Sequence, residues 1–274
     1  MYKILGPLTP EEEALPYAKY YHREAAQPDP HRMELLSHGP MDPAKATALN
    51  GFNSLLTRLN APDDEIGYCI LPNGAGYVGI SAFYPDCTAD MFKWWFAWHP
   101  LNNLRYRIWC PRCHGGISVC EADRKKILDP AIPIEDKITD VEHFVMEDVG
   151  GGMSDIVISF MKPENIGFDP ELVRSSGVTI VGGHGIVELR SGPTGKLPAV
   201  MIHLFHEENG GVRQRTRFYM GCRINKGVTM CVLPQGIQVP IEAPMGLAFH
   251  NVEEFTNLGS FLPQIYSELG PDIK

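Results

Sequence analysis

The sequence lacks the features of a membrane or exported protein. None of its uninterrupted apolar runs approaches the roughly 18 to 20 residues that a helix needs to span a bilayer, and residues 1–7 have no apolar core of the kind found in signal peptides. The 7 cysteines are an odd number scattered through 274 residues, which favours reduced thiols over a disulfide framework. We therefore expect a cytoplasmic protein with no membrane partner.

Signatures of several common functional classes are also missing. No G-x-S-x-G elbow occurs, which disfavours an α/β-hydrolase, and the glycine-rich residues 150–152 and 182–185 open neither a Rossmann nor a P-loop pattern, so we interpret them as turns. With 24 basic and 33 acidic residues the formal net charge is −9. The alternating arginines at 213–217 are more typical of a solvated or paired strand than of a basic stripe. We expect no nucleic-acid partner.

The segment Cys110-Pro111-Arg112-Cys113-His114 matches the C-x-x-C-H pattern of covalent haem attachment. That chemistry normally requires export, for which the sequence shows no signal. No second C-x-x-C accompanies it, which disfavours a structural zinc knuckle, and the βαβ context of a thioredoxin-like motif is missing. We interpret Cys110 and Cys113 as small buried residues.

The chain changes character near residue 74. Before it, helix-like pieces at residues 10–26 and 42–59 are separated by prolines, whereas residues 76–84 are rich in the β-branched and aromatic residues of a strand. We therefore divide the chain into a helical N-terminal region, residues 1–73, with dimerisation as its expected role, and a second domain, residues 74–274.

The sequence of the second domain predicts many antiparallel strands and one long helix. Thr88 is a plausible cap for a short apolar helix at 90–99. Strand-like runs recur at 138–147, 155–160, 177–181, 186–190, 199–206 and 212–222, and residues 250–269 carry apolar side chains at helical spacing. This order predicts an α+β fold in which a curved sheet grips the C-terminal helix, with a cavity between them.

The last two strands are predicted to pair as a hairpin closed by Asn209-Gly210-Gly211. A symmetrical loop would place His203 opposite Arg217 and Met201 opposite Tyr219, on the same face. An imidazole is unusual in the apolar run around His203, although a hydrogen-bonded core histidine is equally consistent with the pattern.

His250 and Glu254 are four residues apart, which on a helix places both side chains on one face and close enough to hold one metal ion. The spacing alone is weak evidence, since such pairs arise by chance on many exposed helices. His114 offers a second imidazole. Two histidines with one or two carboxylates are a usual set of ligands for catalytic zinc and leave room for water.

A further carboxylate comes from the predicted strand at 138–147. Alternation places His143 and Glu147 on one face of that strand and Glu142 on the other. Only one set points into a cavity, and periodicity does not choose between them.

Five segments in order carry a resemblance to a known family: residues 91–99, Tyr106-x-x-Trp109-x-Pro111-x-x-His114, residues 145–151, residues 215–221, and His250-x-x-x-Glu254. Together they resemble the 2,4-diacetylphloroglucinol hydrolase and phloretin hydrolase family over roughly residues 75 to 260. The Trp-rich helix and the Tyr-to-His spacing are the most specific parts. The Cys110/Cys113 pair and residues 115–133 depart from the family pattern.

The resemblance implies a zinc-dependent hydrolase that cuts the carbon–carbon bond between an aromatic polyphenol ring and an acyl group. It also implies a START-like helix-grip catalytic domain, a homodimer, and a small-molecule aromatic ketone as substrate. The implied zinc (Zn2+) ligands are His114, Glu147, His250 and Glu254, with Glu142 open as a substitute for Glu147. Tyr106 would hydrogen-bond the phenolic oxygen of the substrate, and Tyr219 falls near a second substrate-positioning tyrosine.

The chemistry of such substrates explains these residue types. An acylphloroglucinol tautomerises towards a 1,3-diketone, so the ring carbon that bears the acyl group becomes a leaving group. Zinc lowers the pKa of bound water to about 7 and polarises the acyl carbonyl. A nearby acid must then protonate the ring carbon, and His203 is our candidate. The alternative is a non-enzymatic carrier of an apolar aromatic ligand, which has no need of converging metal ligands.

Overall fold

The computed structural model describes residues 6–59, 65–189 and 195–274. The helices are α1 (Pro10–Glu13), α2 (Lys19–His22), α3 (Pro30–Ser37), α4 (Ser54–Thr57), α5 (Ala89–Trp98), α6 (Asn103–Trp109), α7 (Glu121–Leu128), α8 (Ile134–Lys137), α9 (Pro163–Ile166), α10 (Pro170–Ser176) and α11 (Glu242–Leu269). The strands are β1 (Gly67–Ile70), β2 (Gly76–Pro85), β3 (His114–Val119), β4 (Val141–Asp148), β5 (Met153–Phe160), β6 (Thr179–Leu189), β7 (Lys196–Glu208), β8 (Gly211–Met220), β9 (Cys222–Asn225) and β10 (Val228–Cys231).

Eight strands form one antiparallel sheet in the order β1-β2-β8-β7-β6-β5-β4-β3, and α11 packs against one face of it. Leu247 and Val252 of α11 join a buried cluster with Val78 and Phe218 of the sheet. The predicted α+β helix-grip fold is confirmed. None of the described helices is both long and apolar enough to cross a membrane.

Helix α11 spans 28 residues and begins at Glu242, eight residues before the predicted start at His250. The difference arises because Pro244 lies in the first turn, where a helix does not need the missing backbone N–H. The early start places His250 and Glu254 well inside regular helix, which fixes their shared orientation.

Several strand boundaries differ from the sequence prediction. Residues 177–181 and 186–190 were predicted as two strands separated by a glycine turn, but the described part of this segment is one continuous strand, β6. A Cβ at Gly183 would lie 2.0 Å from the Ser159 carbonyl oxygen, so the glycines allow close approach of β5 instead of making a turn. Four of the described strands, β1, β3, β9 and β10, are not predicted by the sequence pattern, because each is only four to six residues long.

The sheet therefore begins before residue 74, since β1 pairs with β2 in the register Gly67↔Gly79. A boundary at residue 73 would cut this hairpin. The preceding helices α1 to α4 are shorter than the predicted helical pieces, and the region packs on the core, for example Tyr20 of α2 against Phe261 with ring centroids 5.5 Å apart. The role of this region in dimerisation stays a prediction.

The β7–β8 hairpin has a register that differs by one residue from the prediction. Glu208 pairs with Gly211, so the loop contains two residues, Asn209 and Gly210, which both have positive φ of 49° and 76°. Such two-residue turns match the twist of the flanking strands. His203 consequently lies opposite Thr216 and not Arg217. A slip of one residue exchanges the faces of β8, so Phe218 shares the His203 face and Tyr219 does not.

The opposite face of β8 contains a buried ion network. Arg217 is 1% exposed and its Nη2 lies 2.6 Å from Glu65 Oε2, while Arg215 Nε donates to the same carboxylate at 3.0 Å. The two arginines are thus paired, as expected, but buried, and their partner is about 150 residues away in the chain.

Replacing Glu65 with glutamine should lower the free energy of unfolding by about 3 kcal/mol, because Arg215 and Arg217 would stay buried without a counter-charge. Urea denaturation of the variant measures this loss. The matched control is Glu188→Gln, which removes an exposed pair with Lys196 and should change stability by less than about 0.5 kcal/mol. Equal, small effects for both variants would contradict the proposed importance of the network.

Candidate functional site

Three elements, β3, β4 and α11, bring the four predicted ligands together. His114 begins β3 and lies directly opposite Glu147 of β4, next to a bulge between His114 and Gly116. The Nε2 atom of His114 lies 3.3 Å from Glu147 Oε2 and 3.6 Å from Glu254 Oε2. Bulges often re-aim a side chain beside a functional site, and this one directs His114 towards the helix.

Helix α11 supplies the other two side chains. His250 Nε2 lies 3.7 Å from Glu254 Oε2, as the four-residue spacing predicts, and both residues are buried. Asn251 donates a hydrogen bond from Nδ2 to Glu254 Oε1 at 3.1 Å and so fixes the carboxylate. The ligand atoms of His114, His250 and Glu254 all lie within 4.8 Å of one another.

The two candidate carboxylates of β4 are now distinguished. Burial alternates along the strand, with His143 and Glu147 facing inwards and Glu142 exposed. Glu142 accepts a hydrogen bond from the Ser159 hydroxyl on the outer face. Glu147, and not Glu142, therefore accompanies His114.

Tyr106 completes the cluster from α6. Its ring stacks on His114 with centroids 3.9 Å apart and an interplanar angle of 7°, and its hydroxyl donates to Glu147 Oε2. The Nδ1 atom of His114 lies 3.0 Å from the Tyr106 carbonyl oxygen. That contact assigns the proton to Nδ1 and leaves the Nε2 lone pair directed at the carboxylates.

Two observations indicate that these residues suit a metal ion: one ring nitrogen has an unused lone pair, and the donor atoms are of the types that metal ions bind. His114 Nε2 is buried and, among the described residues, has no hydrogen-bond partner, although two carboxylate oxygens lie near it. A buried imidazole nitrogen without a partner is costly unless something else satisfies it. Two imidazoles and two carboxylates are a donor set that suits zinc.

Burial and neighbouring charges shift the pKa values of these groups in different directions, and only the shift of His114 favours metal binding. Desolvation lowers the pKa of His114 to about 4, so its Nε2 lone pair is available at neutral pH. Burial raises the pKa of Glu254 to about 7. For His250 burial acts to lower the pKa, but the Glu254 carboxylate and Cys113 outweigh it and raise the pKa to about 10. A metal ion at this cluster would displace the protons that these groups hold without it.

A small cavity of about 60 Å³ adjoins the cluster. Tyr106, Glu147, His203, His250 and Glu254 all line it, so the structure brings His203 to the same space as the ligands. The imidazole of His203 is 2% exposed, and its Nδ1 lies 2.8 Å from Thr216 Oγ1.

Tyr219 is not part of this cavity, and its placement corrects the sequence prediction. The phenol packs on the other side of the sheet against Phe52 and Tyr77, and its hydroxyl donates to the Thr47 carbonyl oxygen at 2.8 Å. The shifted hairpin register is the cause. Phe218 stands in its place and lines the cavity.

Sequence reasoning missed some side chains of the cavity wall. Of the Trp-rich helix α5, Phe96 lines the cavity and Trp94, Trp95 and Trp98 lie in the core, as expected for most of that segment. His99 and His143 also line it, and His99 Nδ1 lies 2.7 Å from the Trp95 carbonyl oxygen. The sequence signal for His143 is its spacing: it lies four residues before Glu147, which places both side chains on the same face of a strand.

A second cavity of about 60 Å³ adjoins the first and is lined almost entirely by apolar side chains. Met201, Phe218 and Leu247 line both cavities and so form the wall between them. Each cavity alone is smaller than usual ligand pockets. We expect the flexible Met201 side chain to move when a substituted aromatic ring enters.

Acid should destabilise the protein through its buried histidines. Burial lowers the pKa values of His143 and His203 to about 3, below the ordinary value of about 6.5. Between these values the unfolded chain binds protons that the folded chain does not, so stability falls as pH falls. At pH about 5 each histidine should cost about 2 kcal/mol relative to neutral pH.

Denaturation at pH 7 and pH 5 measures this effect. His143→Phe should reduce the loss between the two pH values by about 2 kcal/mol, whereas the surface change His38→Gln should leave it unaltered. An unchanged loss in the His143 variant would show that the histidine is not neutral in the folded protein.

Comparison with known proteins gives a consistent set of relatives. The family described as "DAPG hydrolase PhiG domain" matches residues 47–267. The chain is 32% identical to "Phloretin hydrolase" of Eubacterium ramulus, over 94% of this chain and 92% of that protein. It is 30% identical to "2,4-diacetylphloroglucinol hydrolase" of Pseudomonas sp, over 93% and 88%. Among solved structures, that of Ara h 8.0201 aligns with a TM-score of 0.43 and 10% identity, over 70% of this chain and 99% of that chain.

Proposed function

The chain belongs to the DAPG hydrolase family, and from that membership we propose that it is a zinc-dependent hydrolase that cleaves the carbon–carbon bond between an aromatic polyphenol ring and an acyl group. The observation that carries the proposal is the convergence of two imidazoles and two carboxylates beside one small cavity: Glu147, His250 and Glu254 line it, and His114 Nε2 is buried next to them without a hydrogen-bond partner among the described residues. A carrier protein has no need of such a cluster.

We propose that His114, Glu147, His250 and Glu254 hold the metal. A zinc ion in this position supplies a Lewis acid for the acyl carbonyl and lowers the pKa of water to about 7. The chain holds these donors rigidly: the Tyr106 carbonyl orients His114, Asn251 orients Glu254, and the Tyr106 hydroxyl donates to Glu147. Such supporting contacts fix the direction of each lone pair.

Tyr106 is proposed to bind a phenolic oxygen of the substrate. Its hydroxyl reaches the cavity beside Glu147, and burial together with the Glu147 carboxylate holds its pKa well above the ordinary value. The phenol therefore stays protonated, and its single hydrogen, which is donated to Glu147 in this structure, would turn to the phenolic oxygen when the substrate binds. It would stabilise negative charge that develops on the ring oxygen as the acyl bond breaks.

His203 is proposed to deliver the proton to the ring carbon. Burial keeps the imidazole neutral, so His203 would first take up the proton that the attacking water releases, and the negative charge that develops on the ring would raise its pKa because opposite charges attract. Thr216 Oγ1 accepts a hydrogen bond from the Gln214 amide at 2.9 Å, so the Thr216 hydroxyl hydrogen is available for His203 Nδ1. This chain of contacts leaves the other ring nitrogen for the substrate.

Incubation of the purified protein with phloretin and with 2,4-diacetylphloroglucinol tests the proposal, with release of the carboxylic acid followed by chromatography. We expect hydrolysis of at least one substrate, loss of activity on chelation, and recovery when zinc is returned. Full activity of a protein shown by mass spectrometry to be metal-free would end the zinc proposal. Tight binding of both compounds without turnover by the zinc-loaded protein would favour the carrier.

We also propose that the N-terminal region contributes to a homodimer. Support comes only from the family resemblance. Sedimentation velocity of the full chain tests it, and a monomer at micromolar concentration would contradict it.

A further inference from the structure

A second group of metal-binding side chains lies beside the proposed hydrolytic site. The sulfur atoms of Cys110 and Cys113 and a ring nitrogen of His250 all lie within 4.8 Å of one another. Cys110 is 1% exposed and Cys113 is half-buried. Neither thiol has a role in the proposed hydrolysis, and the pair departs from the sequence pattern that the family resemblance rests on.

The local backbone explains why the two thiols lie together. Helix α6 ends at Trp109, and the N–H groups of Cys113 and His114 both donate to the Cys110 carbonyl oxygen, at 3.0 and 2.8 Å. This tight turn is the arrangement that lets a C-x-x-C pair face one metal ion. The sequence offered no second C-x-x-C, but the third ligand, His250, comes from α11.

The imidazole of His250 supplies an independent observation. Its Nε2 is the nitrogen near Glu254, whereas its Nδ1 is buried and has no hydrogen-bond partner. The equivalent nitrogen of His114 does have a partner, the Tyr106 carbonyl oxygen. The Cys113 side chain does interact with the His250 ring, so the sulfur and the imidazole are close enough to bind one metal ion together.

We propose that Cys110, Cys113 and His250 form a binding site for a thiophilic metal ion, of the class of Zn2+ or Cd2+. In a tetrahedral site with metal–sulfur bonds of about 2.3 Å and a metal–nitrogen bond of about 2.0 Å, the ligand atoms of two cysteines and one histidine lie about 3.5 to 3.8 Å apart. The observed cluster needs only small side-chain movements to reach these distances. Two sulfurs give it a preference for softer metals than the carboxylate-containing site.

The shared imidazole couples the two sites. Each nitrogen of His250 can bind one ion, but occupancy of both at once requires the ring to lose both of its protons. The second ion therefore binds more weakly than it would to an independent site. Glu253 Oε1 lies 3.9 Å from Cys110 Sγ but is held by Arg112 Nε at 2.7 Å, so we do not count it as a ligand.

Titration of the reduced, metal-free, full-length protein with Cd2+ tests the site through thiolate-to-cadmium absorption in the ultraviolet. The wild type should develop this band before two equivalents have been added. The Cys110→Ser/Cys113→Ser variant should lack it. The matched control is Cys120→Ser, which replaces an exposed thiol that caps α7 with a hydroxyl able to do the same, and it should keep the full band.

Two further variants keep the test decisive if the double variant folds poorly. Cys113→Ser alone, at a half-buried position, should weaken cadmium binding at least tenfold with an unchanged circular dichroism spectrum. His250→Ala should also weaken it at least tenfold, since the third ligand is lost. Absence of the band in the reduced wild type, or equal cadmium affinity in either single variant, would overturn the proposal.

This test is independent of the hydrolase. The Cys110→Ser/Cys113→Ser variant should retain one zinc per chain at the His/Glu cluster, because His114, Glu147, His250 and Glu254 are unchanged. A protein that shows the thiolate band but no hydrolysis would leave the cysteine site standing and reject only the proposed function.

Discussion

Glu254→Gln is expected to lose the bound zinc and to lower kcat/KM by on the order of 10³-fold. A metal ion supplies several kcal/mol of transition-state stabilisation, and each factor of ten in rate corresponds to about 1.4 kcal/mol. Glutamine keeps the size of the side chain but removes the charge that a divalent ion requires in this buried position, where Glu254 is 6% exposed. Metal content by mass spectrometry and steady-state kinetics measure the two effects.

The adjacent residue provides a matched control. Glu253→Gln removes a carboxylate from the same turn of α11, but this side chain points away and accepts from Arg112 Nε at 2.7 Å. We expect full zinc occupancy and a change in kcat/KM of less than about threefold, because only a partly exposed ion pair is lost. Equal zinc content in the Glu254 variant and the wild type would remove Glu254 from the site.

His203→Phe is expected to lower kcat by about 10²- to 10⁴-fold while zinc content stays unchanged. General acid catalysis contributes a factor of that size, and His203 lines the cavity without being one of the proposed ligands. Phenylalanine suits the surroundings, since the imidazole packs among Phe96, Phe218 and Phe255 with centroids 5.0 to 6.1 Å away. The variant should therefore fold, and should be more stable than the wild type at pH 5.

His206→Gln is the control on the same strand. His206 lies on the opposite face of β7 and does not line the cavity, so we expect wild-type kcat. If His203→Phe kept its kcat, the proton would have to come from another group, and His143 of the cavity wall would be the next to replace. A variant that lost zinc as well would show that His203 supports the metal site and does not act as the acid alone.

The sequence predicted the chemistry of the site better than its geometry. The i, i+4 spacing of His250 and Glu254 is local, so it survives in any regular helix, and the structure shows it at 3.7 Å. The alternation of β4 was also local and correctly grouped His143 with Glu147. It gave no indication of which group faced the cavity, because that depends on which side of the sheet α11 packs.

Register and long-range pairing were beyond the sequence. A loop of two residues instead of three moved Tyr219 to the far face of the sheet and brought Phe218 to the cavity, since a slip of one residue reverses every side chain of a strand. The glycines of β6 predict a turn from the sequence, because glycine is common both in turns and in strands that another backbone approaches closely. Composition does not distinguish the two cases. The bulge after His114 likewise has no sequence signal.

The sequence by itself determined that histidines and glutamates are the candidate metal ligands and that His250 and Glu254 share one helix face. It also determined the antiparallel architecture and the family. These depend on spacings within single elements and on the order of motifs along the chain. Only the tertiary structure decided that Glu147, and not Glu142, lies beside His114, that His203 shares a cavity with ligands, and that the Cys110/Cys113 turn meets His250. Those contacts join residues up to about 140 positions apart, and their distances are set by how the sheet and α11 pack together, which no local pattern records.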